Sequence, residues 1–125
     1  TILIGAGHLG SAVSSFISRD TNGYRLIGVF DVKPELFGQT ICGVQIFPLR
    51  ELARFCAEHH PTVAVLCVPR QSAMDLAGEL VEYGIQGVWN FSHYDLSVEY
   101  PQLTVENVHL GDSLMSLGYR LRNQE

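Results

Sequence analysis

An open, doubly wound α/β sheet with helices on both faces is the architecture this sequence predicts, and three observations predict it. Strand-like apolar runs alternate with helical stripes along the 125 residues. The first strand runs straight into a glycine-rich turn and a helix. Mid-chain, Thr62 to Val68 is an almost unbroken apolar run, as expected of a parallel strand covered on both faces. The sheet should be mostly parallel and six-stranded, and right-handed crossovers then give the order 3-2-1-4-5-6.

The elements follow in order. Thr1 to Ile4 is the first strand, and Gly5-Ala6-Gly7-His8-Leu9-Gly10 turns it into a helix. Leu9, Ala12, Val13, Phe16 and Ile17 stripe one face of that helix, and Asp20 to Gly23 stops it. Residues 24–31 form a second strand ending at Asp31, Lys33-Pro34-Glu35 a turn, and Gly43 to Phe47 a short third strand. Pro48 opens a helix with Leu49, Leu52, Ala53 and Cys56 inward. After the strand at 62–68, Ala73, Met74, Ala77, Leu80 and Val81 stripe the next helix, which Gly84 ends. Gly87 to Phe91 and Leu103 to Leu110 are the fifth and sixth strands. A helix at about 111–122 closes the chain, with Leu110, Leu114, Leu117 and Leu121 on one face and Met115 and Tyr119 off it. Two apolar faces suggest a second contact, either with a partner chain or, for Met115 and Tyr119, with the sheet edge.

Composition bounds the function. The length suits one domain, 1–125, with a full core. The 46% hydrophobic and 17% charged content fits a compact chain. No apolar run reaches the ~20 residues of a membrane helix, and no signal peptide directs export. Thr1 opens inside a strand, so the sequence reads as a domain of a longer protein. A formal charge of −5 argues against gripping a nucleic-acid backbone unaided. Cys42, Cys56 and Cys67 lack C-x-x-C spacing and are odd in number. They read as reduced thiols in a cytoplasmic protein, without a metal role.

Strand, G-x-G-x-x-G turn, helix, strand and acid, in that order, make a Rossmann-type dinucleotide site. Gly5 permits the tight turn, Gly7 lets backbone approach a pyrophosphate, and Gly10 lets the helix pack closely. His8 and Leu9 lie in the same turn, where the helix start offers free N–H groups and a positive dipole end. Asp31 stands 21 residues beyond Gly10, placed to accept from ribose hydroxyls. A carboxylate there repels a 2′-phosphate and favours NAD over NADP. Val32 and Lys33 follow it on the ribose side, though Lys33 also reads as a solvated turn residue. In a doubly wound sheet the ligand lies at the carboxyl ends of the strands beside the order switch. That adds Val68-Pro69, where the chain passes the middle of the dinucleotide, and Asn90-Phe91. Pro69 also suits a helix start. Asn90 either holds its loop or faces the nicotinamide; a buried amide needs partners in both cases.

The other polar groups carry less. His59 and His60 are adjacent and point apart, so they make no i, i+4 metal pair. Ser92, His93 and Asp95 are too close in sequence to form a triad. His8 lies in the glycine turn and His109 ends the sixth strand, so either could stand near a cofactor; for His8 a structural role is the plainer reading. No positioned acid–base pair is found, so the chain reads as a binding module and not an enzyme.

Together these residues resemble the NAD(H)-binding domain of the Rex redox-sensing transcriptional repressors. The resemblance rests on G-A-G-x-L-G at 5–10, Phe30-Asp31, the G-V-x-I-x-P-L-x-E-L run at 43–52, Val68-Pro69, the G-I-x-G-V-x-N-F run at 84–91 and the leucine-spaced last helix. It implies a domain that senses NADH against NAD⁺, a homodimer through an exchanged C-terminal helix, and DNA contact only through an N-terminal winged-helix domain not contained in these residues. Three positions depart from the family pattern: His8 for asparagine, Phe16 for tyrosine, and His109 for aspartate. The last two bear on coupling the nicotinamide state to DNA binding. The rival readings are a CoA-binding or dinucleotide-binding domain of a ligase or dehydrogenase, and a cofactor-free dimerisation domain.

Overall fold

The computed structural model describes residues 1–18, 23–109 and 121. Along the chain run β1 (Ile2–Ile4), α1 (His8–Ser18), β2 (Gly28–Asp31), β3 (Thr40–Ile41), β4 (Val44–Pro48), α2 (Leu52–His59), β5 (Val63–Leu66), α3 (Arg70–Glu82), β6 (Gly87–Asn90), α4 (Leu96–Glu99) and β7 (Thr104–Asn107). Short 3-10 turns at Pro34–Leu36 and Leu49–Glu51 link neighbouring elements.

The strands form one sheet in the order β3-β4-β2-β1-β5-β6-β7. Every pairing is parallel except that of β3 with β4. Removing β3 leaves six parallel strands in the expected 3-2-1-4-5-6 order. The expected count of six is corrected to seven because a hairpin adds an antiparallel edge. Cys42 and Gly43 turn it with φ of +51° and +79°, the two left-handed residues of a tight two-residue hairpin turn.

The two sheet faces bury different residues because side chains alternate along a strand. Leu3, Val29, Ile46 and Val65 pack beneath α1 residues Val13 and Ile17. Ile2, Ile4, Phe30, Ala64, Leu66 and Val88 pack on the other face against Leu52 and Cys56 of α2 and Ala73, Leu76, Ala77 and Leu80 of α3. Each side chain of this size buried contributes about 1.5–3 kcal/mol for the larger aliphatics.

The differences in detail have physical causes. β2 is regular only from Gly28; before it, Ile27 N–H donates to the Thr1 carbonyl at 2.9 Å. Pro48 ends β4 instead of opening a helix, and the 3-10 turn after it winds more tightly than an α-helix. In α2, Leu52 and Cys56 are inward as expected, but Ala53 is exposed and Phe55 packs against Phe30 and Phe47. In α3, Leu76 takes the buried place expected of Met74. Gly84, at φ +89°, stands just beyond that helix, as expected. Gly23 also has positive φ; the stop at 20–22 and the closing helix at 111–122 lie outside the described residues, apart from Leu121.

Candidate functional site

At the carboxyl end of β1 the chain turns sharply, and packing explains two of its three glycines. Gly5 has φ +103°, and a Cβ there would meet the Cys67 carbonyl at the end of β5. A Cβ on Gly10 would strike the Gly5 carbonyl oxygen and lie 3.3 Å from Leu3. Gly10 thus lets α1 sit directly on the turn. Gly7 differs: a Cβ there meets nothing within 4 Å. Its backbone faces open space, as a turn must if a pyrophosphate is to approach it. Helix α1 begins at His8, which is exposed, with Leu9 half-buried beside it. Its first N–H groups have no partner within the helix, and its first turn holds no acidic residue to offset the positive dipole end.

Asp31, at the carboxyl end of β2, reaches across to this turn. Its Oδ2 accepts from the Ala6 N–H at 2.7 Å. Its Oδ1 accepts from the Val32 and Lys33 amides at 2.6 and 3.0 Å. Val32 is 68% exposed, an apolar side chain left beside the carboxylate. The Lys33 side chain is exposed.

On the other side of the turn, Val68 is half-buried and its Cγ1 lies 3.1 Å from the position a Gly5 Cβ would take. Pro69 is the N-cap of α3. Gly5–Gly10, Asp31–Lys33 and Val68–Pro69 therefore meet where β1 lies between β2 and β5, the order switch of the sheet. Cys67 follows β5 here; burial pushes its thiol up to about 12, so it is neutral and a poor nucleophile at neutral pH.

Asn90 is wholly buried and all four hydrogen-bonding positions of its amide are used. Its Nδ2 donates to the Tyr94 carbonyl at 2.6 Å and to Asn107 Oδ1 at 2.9 Å. Its Oδ1 accepts from the Ser92 N–H and hydroxyl at 3.1 and 2.6 Å. Of the two roles open to Asn90, the geometry favours holding the loop: the side chain has no capacity left for a ligand. Phe91, half-buried, stacks edge-on with Trp89 at 4.9 Å.

Ser92, His93 and Asp95 form no triad. Ser92 serves Asn90, His93 is exposed, and Asp95 caps α4 by accepting from Ser97 N–H and Oγ. Those two Ser97 bonds hold the Asp95 carboxyl below its usual range, helped by Asn107 and His109. Sequence reasoning missed both this cap and the fourth helix, although Asp95-Leu96-Ser97 carries the cap signal.

Phe16 and His109 are not brought together. Phe16 is 66% exposed, 6.2 Å from Trp89, and lines a cavity of about 340 Å³ with Tyr24, Val65 and Glu106. Thr1, Val63, Gly87 and Thr104 also line it, which sets it toward the strand starts, away from the glycine turn. His109 follows the carboxyl end of β7 instead. Among the described residues no cluster of His, Cys, Asp or Glu is arranged to hold a metal, and no helix is long and apolar enough to cross a membrane.

Known proteins share this arrangement. The family model described as the CoA binding domain matches residues 1–94. The redox-sensing transcriptional repressor Rex of Caldanaerobacter subterraneus subsp. tengcongensis is 42% identical over 125 residues, covering 100% of this chain and 55% of the relative. Among solved structures, that of RSP in complex with β-NADH superposes with a TM-score of 0.87 at 39% identity, covering 98% of this chain and 59% of RSP. The complex of RSP with β-NAD⁺ and operator DNA gives 0.85 at the same identity, covering 98% and 56%. The chain thus spans little more than half the length of these relatives. It belongs to the CoA binding domain family and, along its whole length, is homologous to the Rex redox-sensing repressors.

Proposed function

We propose that this chain is the NAD(H)-binding sensor part of a Rex-like, redox-responsive transcriptional repressor. The observation that carries the reading is the open space over Gly7 in a turn otherwise closed by packing. It supports pyrophosphate binding at Gly5, Gly7, His8, Leu9 and Gly10, with the free amides of α1 as donors. Asp31, with Val32 and Lys33 beside it, takes the adenosine ribose. Val68, Pro69 and Phe91 flank the nicotinamide half, with Asn90 shaping the loop behind Phe91. Apolar walls suit the uncharged dihydronicotinamide better than the cationic ring, so NADH is the tighter ligand.

The chain acts as a binding module, without catalysis, in the cytoplasm. It dimerises through the helix expected at 111–122, and DNA contact belongs to a part of the relatives that this chain does not span. The net charge of −5 supports that division. Coenzyme A is the second candidate, because the matching family model is described by it and its adenosine diphosphate would use the same turn. The test is a fluorescence titration with NADH, followed by competition with NAD⁺ and coenzyme A. NADH should bind and be displaced by NAD⁺ only at higher concentration. Displacement by coenzyme A at lower concentration than NAD⁺, or no NADH binding, would reassign the site.

A further inference from the structure

Ala6 is buried in the turn, and its amide finds a side-chain acceptor, not backbone: Asp31 Oδ2 at 2.7 Å, in a part-buried bond. The preceding amide, of Gly5, donates to the Phe30 carbonyl at 2.8 Å. Successive amides of the turn are thus tied to successive residues of β2, and the second tie is a carboxylate. We propose that Asp31 is a positioning residue for the glycine turn as well as the acceptor for the ribose. By holding Ala6 it sets where the backbone of Gly7 and the first amides of α1 point before any ligand arrives.

The inference rests on the dinucleotide reading and adds a second role to its ribose acceptor. A carboxylate has about four acceptor positions, and the Ala6, Val32 and Lys33 amides take three. One remains, enough for a single ribose hydroxyl without releasing the turn. The arrangement also explains why a neutral amide should fail. In Asp31→Asn the two oxygens become one oxygen and one NH₂. Whichever way that amide lies, an N–H faces either the Ala6 donor or the Val32 and Lys33 donors. A ribose hydroxyl, which both donates and accepts, would tolerate asparagine; the turn would not.

The experiment combines amide hydrogen exchange by NMR with two nucleotides, NADH and reduced nicotinamide mononucleotide, which lacks the adenosine ribose. In the unliganded 125-residue chain, the Ala6 amide should exchange about tenfold or more slower than those of Gly7 and His8. In Asp31→Asn, Ala6 exchange should accelerate by about tenfold, and affinity for both nucleotides should fall together. Loss of NADH affinity with mononucleotide affinity unchanged would overturn the proposal, leaving Asp31 a ribose acceptor alone. Ala6 exchanging as fast as Gly7 in the unsubstituted chain would also overturn it, and this holds even if Asp31→Asn does not fold. If neither nucleotide binds the unsubstituted chain, the dinucleotide reading fails, while the exchange data still decide the tie between Asp31 and Ala6.

Discussion

Gly7 and Gly10 lie three residues apart in one turn, yet the structure assigns them opposite sensitivities. Gly10→Ala places a Cβ against the Gly5 carbonyl oxygen and close to Leu3. That oxygen is backbone and cannot swing aside, so α1 must lift. Overpacking of this kind costs about 1–3 kcal/mol, and rigid backbone puts the value near the upper end. Helix propensity returns about 1 kcal/mol, because alanine is the better helix former. The net loss is about 2 kcal/mol, a fall in Tm of about 8 °C for a domain of this size. The Cβ of Gly7→Val meets no protein atom within 4 Å, so its Tm should stay within about 2 °C of the parent, a shift of about 0.5 kcal/mol. Its branched side chain fills the space over the turn, and NADH affinity should drop at least about 100-fold, roughly 2.7 kcal/mol. Differential scanning fluorimetry and an NADH titration on both variants read the two effects. A Gly7→Val protein that unfolds, or that binds NADH normally, would refute the division between a packing glycine and a ligand-facing one.

Asn90→Ala should cost about 3 kcal/mol by stranding buried partners at Ser92 and Tyr94 and the half-buried Asn107, seen as a lowered urea midpoint; a midpoint within experimental error would deny Asn90 its role in the loop. Cys67 should resist iodoacetamide at pH 8. Because folding raises its pKa from 9.0 to about 12, the folded state holds the proton more tightly, so the Cys67 contribution to stability is intact below about pH 9 and is lost as pH rises toward 12. Cys67→Ser should flatten that alkaline slope, and an unchanged slope would assign it to other groups. Phe16→Tyr should leave the NADH to NAD⁺ affinity ratio within about twofold, about 0.4 kcal/mol, since Phe16 faces the cavity near the strand starts. A larger shift would place the nicotinamide closer to α1 than the strand ends indicate.

Local patterns carried much of this structure. The glycine turn, Asp31 and the order of the six parallel strands were legible because each depends on spacing within a strand–turn–helix unit. The hairpin at Cys42-Gly43 was not, since cysteine is an uncommon residue at φ +51° and nothing local announces it. Phe55, not Ala53, packs inward because its ring meets Phe30 and Phe47 on the sheet, contacts that periodicity alone does not contain. The two roles weighed for Asn90 were separated by Asn107, 17 residues away on the next strand. Spacing led to the expectation of Asp31 as a ribose acceptor, but its bond to Ala6 spans 25 residues and is set by how β1 and β2 pair.

In the proposed dinucleotide site, the carboxylate of Asp31 is the ribose edge. Isothermal titration calorimetry of the chain with NADH and with NADPH tests it most directly. A 2′-phosphate would bring negative charge against the Asp31 carboxylate, so NADPH should bind at least about tenfold more weakly, about 1.4 kcal/mol. Equal affinities for the two nucleotides would contradict the assignment.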